Sequence, residues 1–307
     1  MKIKLPDELV FLQSGKAEQK KSSTSMVGKI CVITGATSGV GLAATSELAK
    51  GGASIVMVCR NLAKAEKIKA ELTATYQVDI ELVIADFSRL AEVRAAAAII
   101  KANHPIIDVL INSAGIHATK RTYNQDGVEM VFCVNHLAAF LFTELLLEQI
   151  KASQQGRIIQ VNSEGHRFNG LNITDLNWHK RIYTGLRSYG ASKTAQLLTV
   201  WEFADRLKGS STTINAMHPG DVRTGIGSNN GWLYKLFLHN VIWLFLKDVK
   251  IAGEALYYLA ADPAMKVVSG RFFNLTTEEK PATHAMDRNM GKLVWDISRK
   301  MTGIIEA

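Results

Sequence analysis

The sequence predicts an α/β fold in which helices flank a doubly wound, mostly parallel sheet of seven strands. One observation is a glycine-rich turn that joins an apolar run to a helical run near residue 35. A second is the repeated alternation of short apolar runs with longer helical patterns, which is typical of parallel sheets. A third is size, since 307 residues with 47% hydrophobic content can bury one large core. We therefore predict a single domain over 28–307, preceded by an N-terminal extension over 1–27.

The glycine-rich turn runs from Thr34 to Gly41 and follows the apolar run 30–33. A strand, a glycine-rich turn and a helix in this order are typical of a dinucleotide-binding βαβ unit, because glycine lets backbone approach a pyrophosphate. The spacing departs from the usual G-x-G-x-x-G pattern, and such turns also serve plain strand–helix packing. The predicted phosphate-binding residues are Gly35, Thr37, Ser38, Gly39, Val40 and Gly41.

The remaining elements follow from apolar runs and helical periodicity. Strands are predicted at 30–33, 53–58, 80–84, 107–111, 157–161 and 270–274. Helices are predicted at 42–50, 62–76, 88–103, 126–151, 189–207, 251–261 and 290–302. Asn61 is expected to cap the second of these helices. The polar run over 15–25 predicts a loose linker before the first strand.

The end of the second strand bears on the choice of cofactor. An acid at this point would bind the ribose 2′-hydroxyl of NAD, whereas the sequence has Cys59 followed by Arg60. A guanidinium favours the 2′-phosphate of NADP, although Arg60 is also compatible with an ordinary surface charge. Asp86, followed by Phe87, ends the third strand and can bond an adenine amino group or cap the next helix. We therefore place NADP above NAD.

Composition excludes several classes of function. The net charge is +8, but the basic residues alternate with acids on helices, so we expect no nucleic-acid partner. The three cysteines have no paired spacing, which predicts free thiols in a reducing, cytoplasmic setting. The eight histidines show no metal-ligand spacing, so no metal is expected. Residues 1–12 make a poor signal peptide, and we expect no apolar stretch of the roughly 20 residues that a membrane span needs.

The chemistry is predicted from Tyr189 and Lys193, which lie four residues apart on one helical face. A phenol with a pKa of about 10 is a poor proton donor or acceptor at neutral pH, and a nearby ammonium favours its ionised form. The pair can exchange a proton with an alcohol or carbonyl oxygen, which Ser163 at the end of the fifth strand can polarise. Tyr-x-x-x-Lys alone is a weak signal, but it is strong after the glycine-rich turn, the Asn-Ser-Ala-Gly turn over 112–115 and Ser163.

In this order, the motifs resemble the short-chain dehydrogenase/reductase family from about Gly28 to the C-terminus, which implies a Rossmann-like fold. The resemblance implies that Tyr189 is the acid/base, that Ser163 orients the carbonyl and that Asn135 holds a proton-relaying water. It implies that Lys193 lowers the Tyr189 pKa and holds the nicotinamide ribose. The other cofactor contacts that it implies are Asn112, Ala114, Gly115, Pro219, Gly220, Val222 and Thr224. The family more often has Asn where this chain has Ser113.

A narrower resemblance links the chain to the retinol dehydrogenase-like and WW-domain oxidoreductase-like branch. It rests on the segments 58–61, 134–137, 269–273 and 279–281, and on the 26-residue interval from Ser163 to Tyr189. The branch generally prefers NADP and acts on lipophilic alcohols, aldehydes or ketones. Its members usually carry an N-terminal membrane anchor, which we do not expect here. The family resemblance also implies a homo-dimer or tetramer through the helices that bear Asn135 and Tyr189.

A substrate lid is predicted over about 225–248, where residues 232–246 are strongly apolar and aromatic. This stretch fits a buried helix pair, a lipophilic pocket or a patch in peripheral contact with a membrane, and we favour the pocket. His117 and His166 follow the strand ends and are candidates to line the cleft, or else are ordinary structural residues. The predicted function is an NADP(H)-dependent oxidoreductase that interconverts a carbonyl and an alcohol on a small lipophilic substrate. The alternatives are a non-catalytic NADP(H)-binding sensor and a membrane-surface or partner-binding protein.

Overall fold

The computed structural model describes residues 17–220 and 248–304 and confirms the doubly wound α/β fold. The strands of the described residues are β1 (Ile30–Thr34), β2 (Ser54–Cys59), β3 (Ile80–Ile84), β4 (Val109–Asn112), β5 (Arg157–Val161), β6 (Thr213–His218), β7 (Phe272–Asn274) and β8 (Thr277–Glu278). Their order in the sheet is β3-β2-β1-β4-β5-β6-β7-β8, and only the β7–β8 pair is antiparallel. The sheet has eight strands where seven were predicted, and two of them, β6 and β8, coincide with no predicted range. The two residues of β8 are too few to show a period.

The helices alternate with these strands, as predicted. They are α1 (Gly39–Lys50), α2 (Leu62–Tyr76), α3 (Leu90–Asn103), α4 (Met130–Phe132), α5 (Ala138–Lys151), α6 (Gly185–Arg206), α7 (Lys250–Ala261) and α8 (Arg288–Thr302). The Asn61 side chain caps α2 by accepting a hydrogen bond from the backbone N of Lys64, which confirms that prediction. Helix α6 begins four residues before Tyr189, because the hydroxyl of Thr184 caps it through the backbone N of Arg187.

The single helix predicted over 126–151 is interrupted by a π-helical turn, Cys133–Leu137, between α4 and α5. The carboxylate of Glu129 caps α4 by accepting hydrogen bonds from the backbone N atoms of Val131 and Phe132. A π-turn adds a residue to one helical turn and so changes the direction of the side chains within it. Asn135 lies at the centre of this turn, which aims its side chain at the carboxyl edge of the sheet.

The core lies on both faces of the sheet because side chains alternate along each strand. Val32 belongs to the face covered by α3, α5 and α6, whereas Cys31 and Ile33 belong to the face covered by α1 and α7. The three cysteines are buried and free, as predicted. Burial raises the pKa of each thiol, so these groups serve packing rather than nucleophilic chemistry.

The expectation that no stretch is long and apolar enough to span a membrane is wrong for the helical run Met130–Lys151. An 18-residue window of this 22-residue run reaches a mean hydropathy of 1.8, and it is the one such run in the described residues. The protein buries 78% of this apolar window, so the run is typical of a core helix.

The prediction of a loose linker over 15–25 is also wrong for the residues that the structure describes. The side-chain oxygen of Gln19 accepts hydrogen bonds from the backbone N (3.0 Å) and the Oγ1 (2.8 Å) of Thr276. The backbone O of Thr24 accepts one from the hydroxyl of Tyr257 at 2.6 Å. A polar segment is therefore held by partners more than 200 residues away, which local composition does not reveal. Residues 1–16 lie outside the described residues.

The C-terminal helix α8 packs across α5 and α6. Trp295 is buried with its ring centroid 5.0 Å from that of Phe140 and 4.7 Å from that of Phe203. Ser298 of α8 hydrogen-bonds His136 at 2.7 Å. The two helices that the resemblance assigns to subunit contacts therefore carry an element of their own chain, and association through them stays a prediction.

Candidate active site

The predicted motifs meet along one edge of the sheet because the parallel strands end together. Thr34, the last residue of β1, is paired with Val58 of β2 and with Asn112 of β4. Strand order reverses between β1 and β4, and ligands of open α/β sheets bind at such a switch point. The glycine-rich turn and the Asn-Ser-Ala-Gly turn therefore lie side by side.

These two turns are in direct contact. The hydroxyl oxygen of Thr34 accepts hydrogen bonds from the backbone N atoms of Ser113 and Ala114, both at 3.0 Å. A Cβ on Gly35 would lie 2.9 Å from the Cα of Ala114, and one on Gly41 would lie 2.3 Å from the backbone O of Gly35. Both positions therefore require glycine, and together they leave a shallow cradle of backbone at the start of α1.

The N-terminus of α1 is open to an anion. Ser38 occupies the cap position but makes no side-chain cap hydrogen bond, and the first turn holds no acid. The first N–H groups of the helix and its positive dipole end are thus left for a ligand, as a pyrophosphate requires. Thr37 and Gly39 are partly buried around this point, and Val40 is buried beneath it. The residues present fit the diphosphate of a dinucleotide.

We expect Gly41→Ala to weaken NAD(P)H binding at least about tenfold, or about 1.4 kcal/mol, because the added methyl group forces apart the turn that cradles the diphosphate. Fluorescence titration of the reduced cofactor measures the dissociation constant. Gly170→Ala is the matched control, since its Cβ would meet His284 at an ordinary 3.6 Å. Wild-type affinity in folded Gly41→Ala protein would contradict the assignment of the cradle.

The residues predicted to hold the adenosine half lie at the ends of β2 and β3. Arg60 is exposed immediately after β2. One carboxylate oxygen of Asp86 accepts a hydrogen bond from the backbone N of Ser88 at 2.8 Å, in the turn before α3. Helix α3 begins at Leu90 with Arg89 at its cap position and no side-chain cap hydrogen bond, so the alternative prediction that Asp86 caps this helix is wrong. The ring of Phe87 packs edge-on against Phe142 in the core, with centroids 5.5 Å apart, so only its backbone faces the edge.

Asn112 and Asn135 both use their side chains within the protein. The amide of Asn112 donates to the hydroxyl of Thr143 on α5 at 2.9 Å, which ties the end of β4 to that helix. The side chain of Asn135 pairs with the backbone of Ile116, accepting from its N at 2.8 Å and donating to its O at 3.0 Å. Asn135 thereby fixes the chain just after Gly115. The water-holding role implied for it stays a prediction.

Ser163 and Tyr189 are brought together by a tight turn after β5. The Oγ of Ser163 accepts a hydrogen bond from the backbone N of Gly165 at 3.0 Å, which leaves its own proton to be donated. A Cβ on Gly165 would lie 3.0 Å from the Tyr189 ring, so a glycine here allows the ring to approach. Burial raises the pKa of Tyr189, and a hydrogen bond with Ser163 opposes this only partly. The direction is opposite to the lowered pKa that the Tyr–Lys pattern predicts.

Lys193 completes the group from one turn further along α6. Its Nζ donates to the backbone O of Val161 at 2.8 Å and lies 5.7 Å from the centroid of the Tyr189 ring. Burial lowers the pKa of Lys193 to about 7, because the charged ammonium loses its water. The structure thus gathers all four predicted catalytic side chains at the carboxyl ends of β4 and β5.

The two histidines that are candidates to line the cleft lie in different surroundings. His117 lies beside the phenol, with its ring centroid 5.7 Å from that of Tyr189, and burial lowers its pKa. His166 turns away from the cleft, with its Nδ1 2.8 Å from the backbone O of Ser163 and its Nε2 accepting from the backbone N of Ala282. His117 therefore lies next to the phenol, where its role as a cleft residue stays a prediction, and His166 is a structural residue.

The chain after β6 is only partly described. Pro219 and Gly220 follow the strand, and Gly220 has a φ of 76°, a conformation that favours glycine. Val222, Thr224 and the predicted lid over 225–248, apart from Asp248, lie outside the described residues. Within 17–220 and 248–304, no group of three or more His, Cys, Asp or Glu side chains is arranged to hold a metal ion.

A phenol, a serine hydroxyl and a buried lysine beside a dinucleotide cradle define a class of nicotinamide-dependent oxidoreductases. Comparison with known proteins agrees, since the family model described as short chain dehydrogenase matches residues 29–231. Retinol dehydrogenase 14 of Mus musculus is 37% identical over 92% of this chain and 88% of its own length. For retinol dehydrogenase 13 of Homo sapiens the values are 34%, 92% and 87%.

Solved structures give the same answer for the fold. The crystal structure of an uncharacterised protein from Mycobacterium Paratuberculosis superposes with a TM-score of 0.75 at 28% identity, covering 93% of this chain and 98% of that one. The chain belongs to the short-chain dehydrogenase family, in its retinol dehydrogenase-like branch. It is therefore an oxidoreductase that interconverts a carbonyl and an alcohol.

Proposed function

We propose that the protein is an NADP(H)-dependent oxidoreductase acting on a small lipophilic carbonyl or alcohol, such as a retinoid-like, aliphatic or aromatic aldehyde or ketone. The observation that carries the proposal is the convergence of Tyr189, Ser163 and Lys193 at the end of β5 beside the glycine cradle. The bound nicotinamide supplies or accepts a hydride at the carbonyl carbon.

The protein's own residues handle the proton and the oxygen. Tyr189 holds a proton at its hydroxyl, since its pKa is raised, and transfers it to the carbonyl oxygen during reduction. Ser163 donates its hydroxyl proton toward the same oxygen, since its Oγ accepts from the backbone N of Gly165 and its O–H is left as the donor. Lys193 provides a buried cation next to the phenol, which stabilises the phenolate left after transfer.

The lipophilic character of the substrate is supported by the relatives. Relatives at 31–37% identity carry the name retinol dehydrogenase. Free, buried thiols support a reducing cytoplasmic setting, with contact at a membrane surface as a further proposal.

The preference for NADP over NAD is tested by Arg60→Asp. We expect this change to raise the KM for NADPH at least about tenfold and to leave the KM for NADH unchanged or lower, because a carboxylate repels a 2′-phosphate and accepts from a 2′-hydroxyl. Lys67→Asp makes the same charge change at an exposed position on α2 and should preserve the preference. An unchanged ratio of the two KM values in Arg60→Asp would refute the role of Arg60.

The activity itself is tested by following NADPH consumption against a panel of hydrophobic aldehydes and ketones. Turnover of one or more of them is the expected result. Tight NADPH binding without turnover across a wide panel would favour the sensor alternative instead. Flotation with liposomes, run beside a Tyr189→Phe protein, separates a membrane-surface role from catalysis. Failure to bind any nicotinamide cofactor would refute the assignment.

A further inference from the structure

Gln196 is a buried glutamine at the centre of the catalytic group, and its side chain is 3% exposed. Its Oε1 accepts hydrogen bonds from the Nδ2 of Asn162 at 2.8 Å and from the Nζ of Lys193 at 3.4 Å. Its Nε2 donates to the Oε1 of Gln160 at 3.1 Å and to the backbone O of Asn135 at 3.4 Å. One amide group therefore has four partners within the protein.

These partners lie on the three elements that carry the catalytic side chains. Lys193 is on α6, Asn135 is in the π-turn, and Asn162 directly follows β5. Asn162 extends the connection to Ser163, since its Oδ1 accepts from the backbone N of Ser163 at 2.8 Å. Gln196 is thus joined to Lys193 and Asn135 by one hydrogen bond each, and to Ser163 by two hydrogen bonds that pass through Asn162.

The chemistry of the position favours an amide. Its oxygen faces two donors and its nitrogen faces two acceptors, so neither a carboxylate nor an apolar side chain matches the set. A side chain that only filled space in the core would make no hydrogen bond with the Nζ of Lys193. The second acceptor of that ammonium, the backbone O of Val161, is fixed by the strand, so Gln196 is the side chain that completes its coordination.

We propose that Gln196 is a positioning residue that fixes the Lys193 ammonium and joins it to Asn135 and Ser163. The inference deepens the proposed function and rests on it for its kinetic consequence. Removal of the amide frees the Lys193 side chain to move within its buried site, and misplacement of a group by about 1 Å can cost about a hundredfold in rate.

A second consequence is electrostatic. A buried ammonium is stabilised by each oxygen that accepts its protons, so loss of the Gln196 oxygen disfavours the charged form of Lys193. The groups that face the Lys193 Nζ are Tyr189 and Gln196 on its own helix and the backbone O of Val161 on β5. Of these, Tyr189 is the one that titrates. In the cofactor-free protein, Lys193 already titrates near pH 7, far below exposed lysines, so a further decrease is measurable.

The test uses Gln196→Met, which keeps the length of the side chain but removes both polar atoms. Thr199→Val is the control, because Thr199 is equally buried on α6 and, among the described residues, its hydroxyl donates to the backbone O atoms of Ala195 and Gln196 alone. NMR of lysine labelled at Cε follows each titration without cofactor or substrate, and Lys193→Met assigns the signal. We expect the Lys193 midpoint to fall by about 0.5 pH or more in Gln196→Met, a threefold loss of proton affinity, and to stay unchanged in Thr199→Val.

A second variant, Gln196→Glu, keeps the inference testable if Gln196→Met fails to fold. A carboxylate next to the ammonium should move the Lys193 midpoint to higher pH, so the two variants shift it in opposite directions. With a reactive carbonyl, kcat should fall about 10- to 100-fold in Gln196→Met and stay at the wild-type level in Thr199→Val. An unmoved Lys193 midpoint in both glutamine variants overturns the inference. Absence of turnover in the wild type refutes the proposed function instead, and the NMR titration still decides the role of Gln196.

Discussion

Replacement of Tyr189 by phenylalanine is expected to lower kcat by about 10²–10⁴-fold, because the proton donor to the carbonyl oxygen is lost while the ring remains. The ring packs against Gly165 and lies beside Lys193 and His117, and none of these contacts involves the hydroxyl. NADPH affinity should therefore stay within about threefold of the wild type, since about 0.7 kcal/mol is all that one weak contact supplies. Stopped-flow oxidation of NADPH and a fluorescence titration measure the two quantities.

Tyr123→Phe is the matched control for this prediction. Its hydroxyl is 3.3 Å from the backbone O of Asn177, and the residue is exposed. Wild-type kcat is expected for this protein. A similar loss of rate in both variants, or a Tyr189→Phe enzyme with more than a tenth of the wild-type kcat, would show that another group donates the proton.

The same tyrosine sets the direction of the pH dependence. Because burial raises the pKa of Tyr189, its hydroxyl keeps the proton that carbonyl reduction consumes through the neutral range. Alcohol oxidation needs the phenolate, so its rate should increase as pH rises toward the Tyr189 pKa, whereas the reduction rate should not. Ser163→Ala should raise that pKa further, because the hydrogen bond from Ser163 lowers it.

The strands and the motifs could be predicted from the sequence because their signals are local. The apolar run over 157–161 coincides with β5. Asn61 caps α2 through a hydrogen bond with a backbone N only three residues further along the chain. The order of the glycine-rich turn, Ser163 and Tyr189 is sufficient to bring them together, since parallel strands end at one edge of a sheet. Local motifs and their order along the chain are therefore enough to identify the catalytic side chains.

The features that the sequence did not predict depend on partners far along the chain. Gln196 is one polar residue in a helical pattern until Asn135, 61 residues earlier, is seen to accept from it. The π-turn that aims Asn135 leaves no mark in the apolar periodicity of the run 130–151. The direction of the Tyr189 pKa shift depends on how deeply the phenol is buried, which spacing alone does not contain.

A second large effect is expected at Arg167, which lies four residues after Ser163 and is buried between two acids. Its guanidinium pairs with Glu164 and with Glu279, and the three side chains are 1%, 7% and 2% exposed. It also donates to the backbone O of Lys280 at 2.9 Å, which ties the turn after β5 to the chain after β8. Arg167→Met leaves two buried carboxylates facing each other, so we expect a loss of about 3–5 kcal/mol in the free energy of unfolding.

Urea denaturation at 25 °C measures this loss, and Arg271→Met is its control. Arg271 pairs with Glu278 at 3.5 Å, but the two side chains are 58% and 55% exposed, so this change should cost no more than about 0.5 kcal/mol. Equal stability of the two variants would show that the buried triad contributes nothing beyond a surface pair.

The pH dependence of Arg167→Met follows from the charges that remain. Without the guanidinium, the two buried carboxylates have lost their counter-charge and repel each other, so the folded variant is least strained when they are uncharged. The unfolding free energy of the variant is then least affected below the unfolded carboxylate pKa of about 4.3, and its deficit relative to the wild type grows as the pH rises. Adding Glu279→Gln to Arg167→Met should recover part of that deficit at pH 8, because one of the two facing charges is gone. A deficit that is the same at pH 5 and pH 8 would mean that lost packing, rather than uncompensated charge, explains the destabilisation.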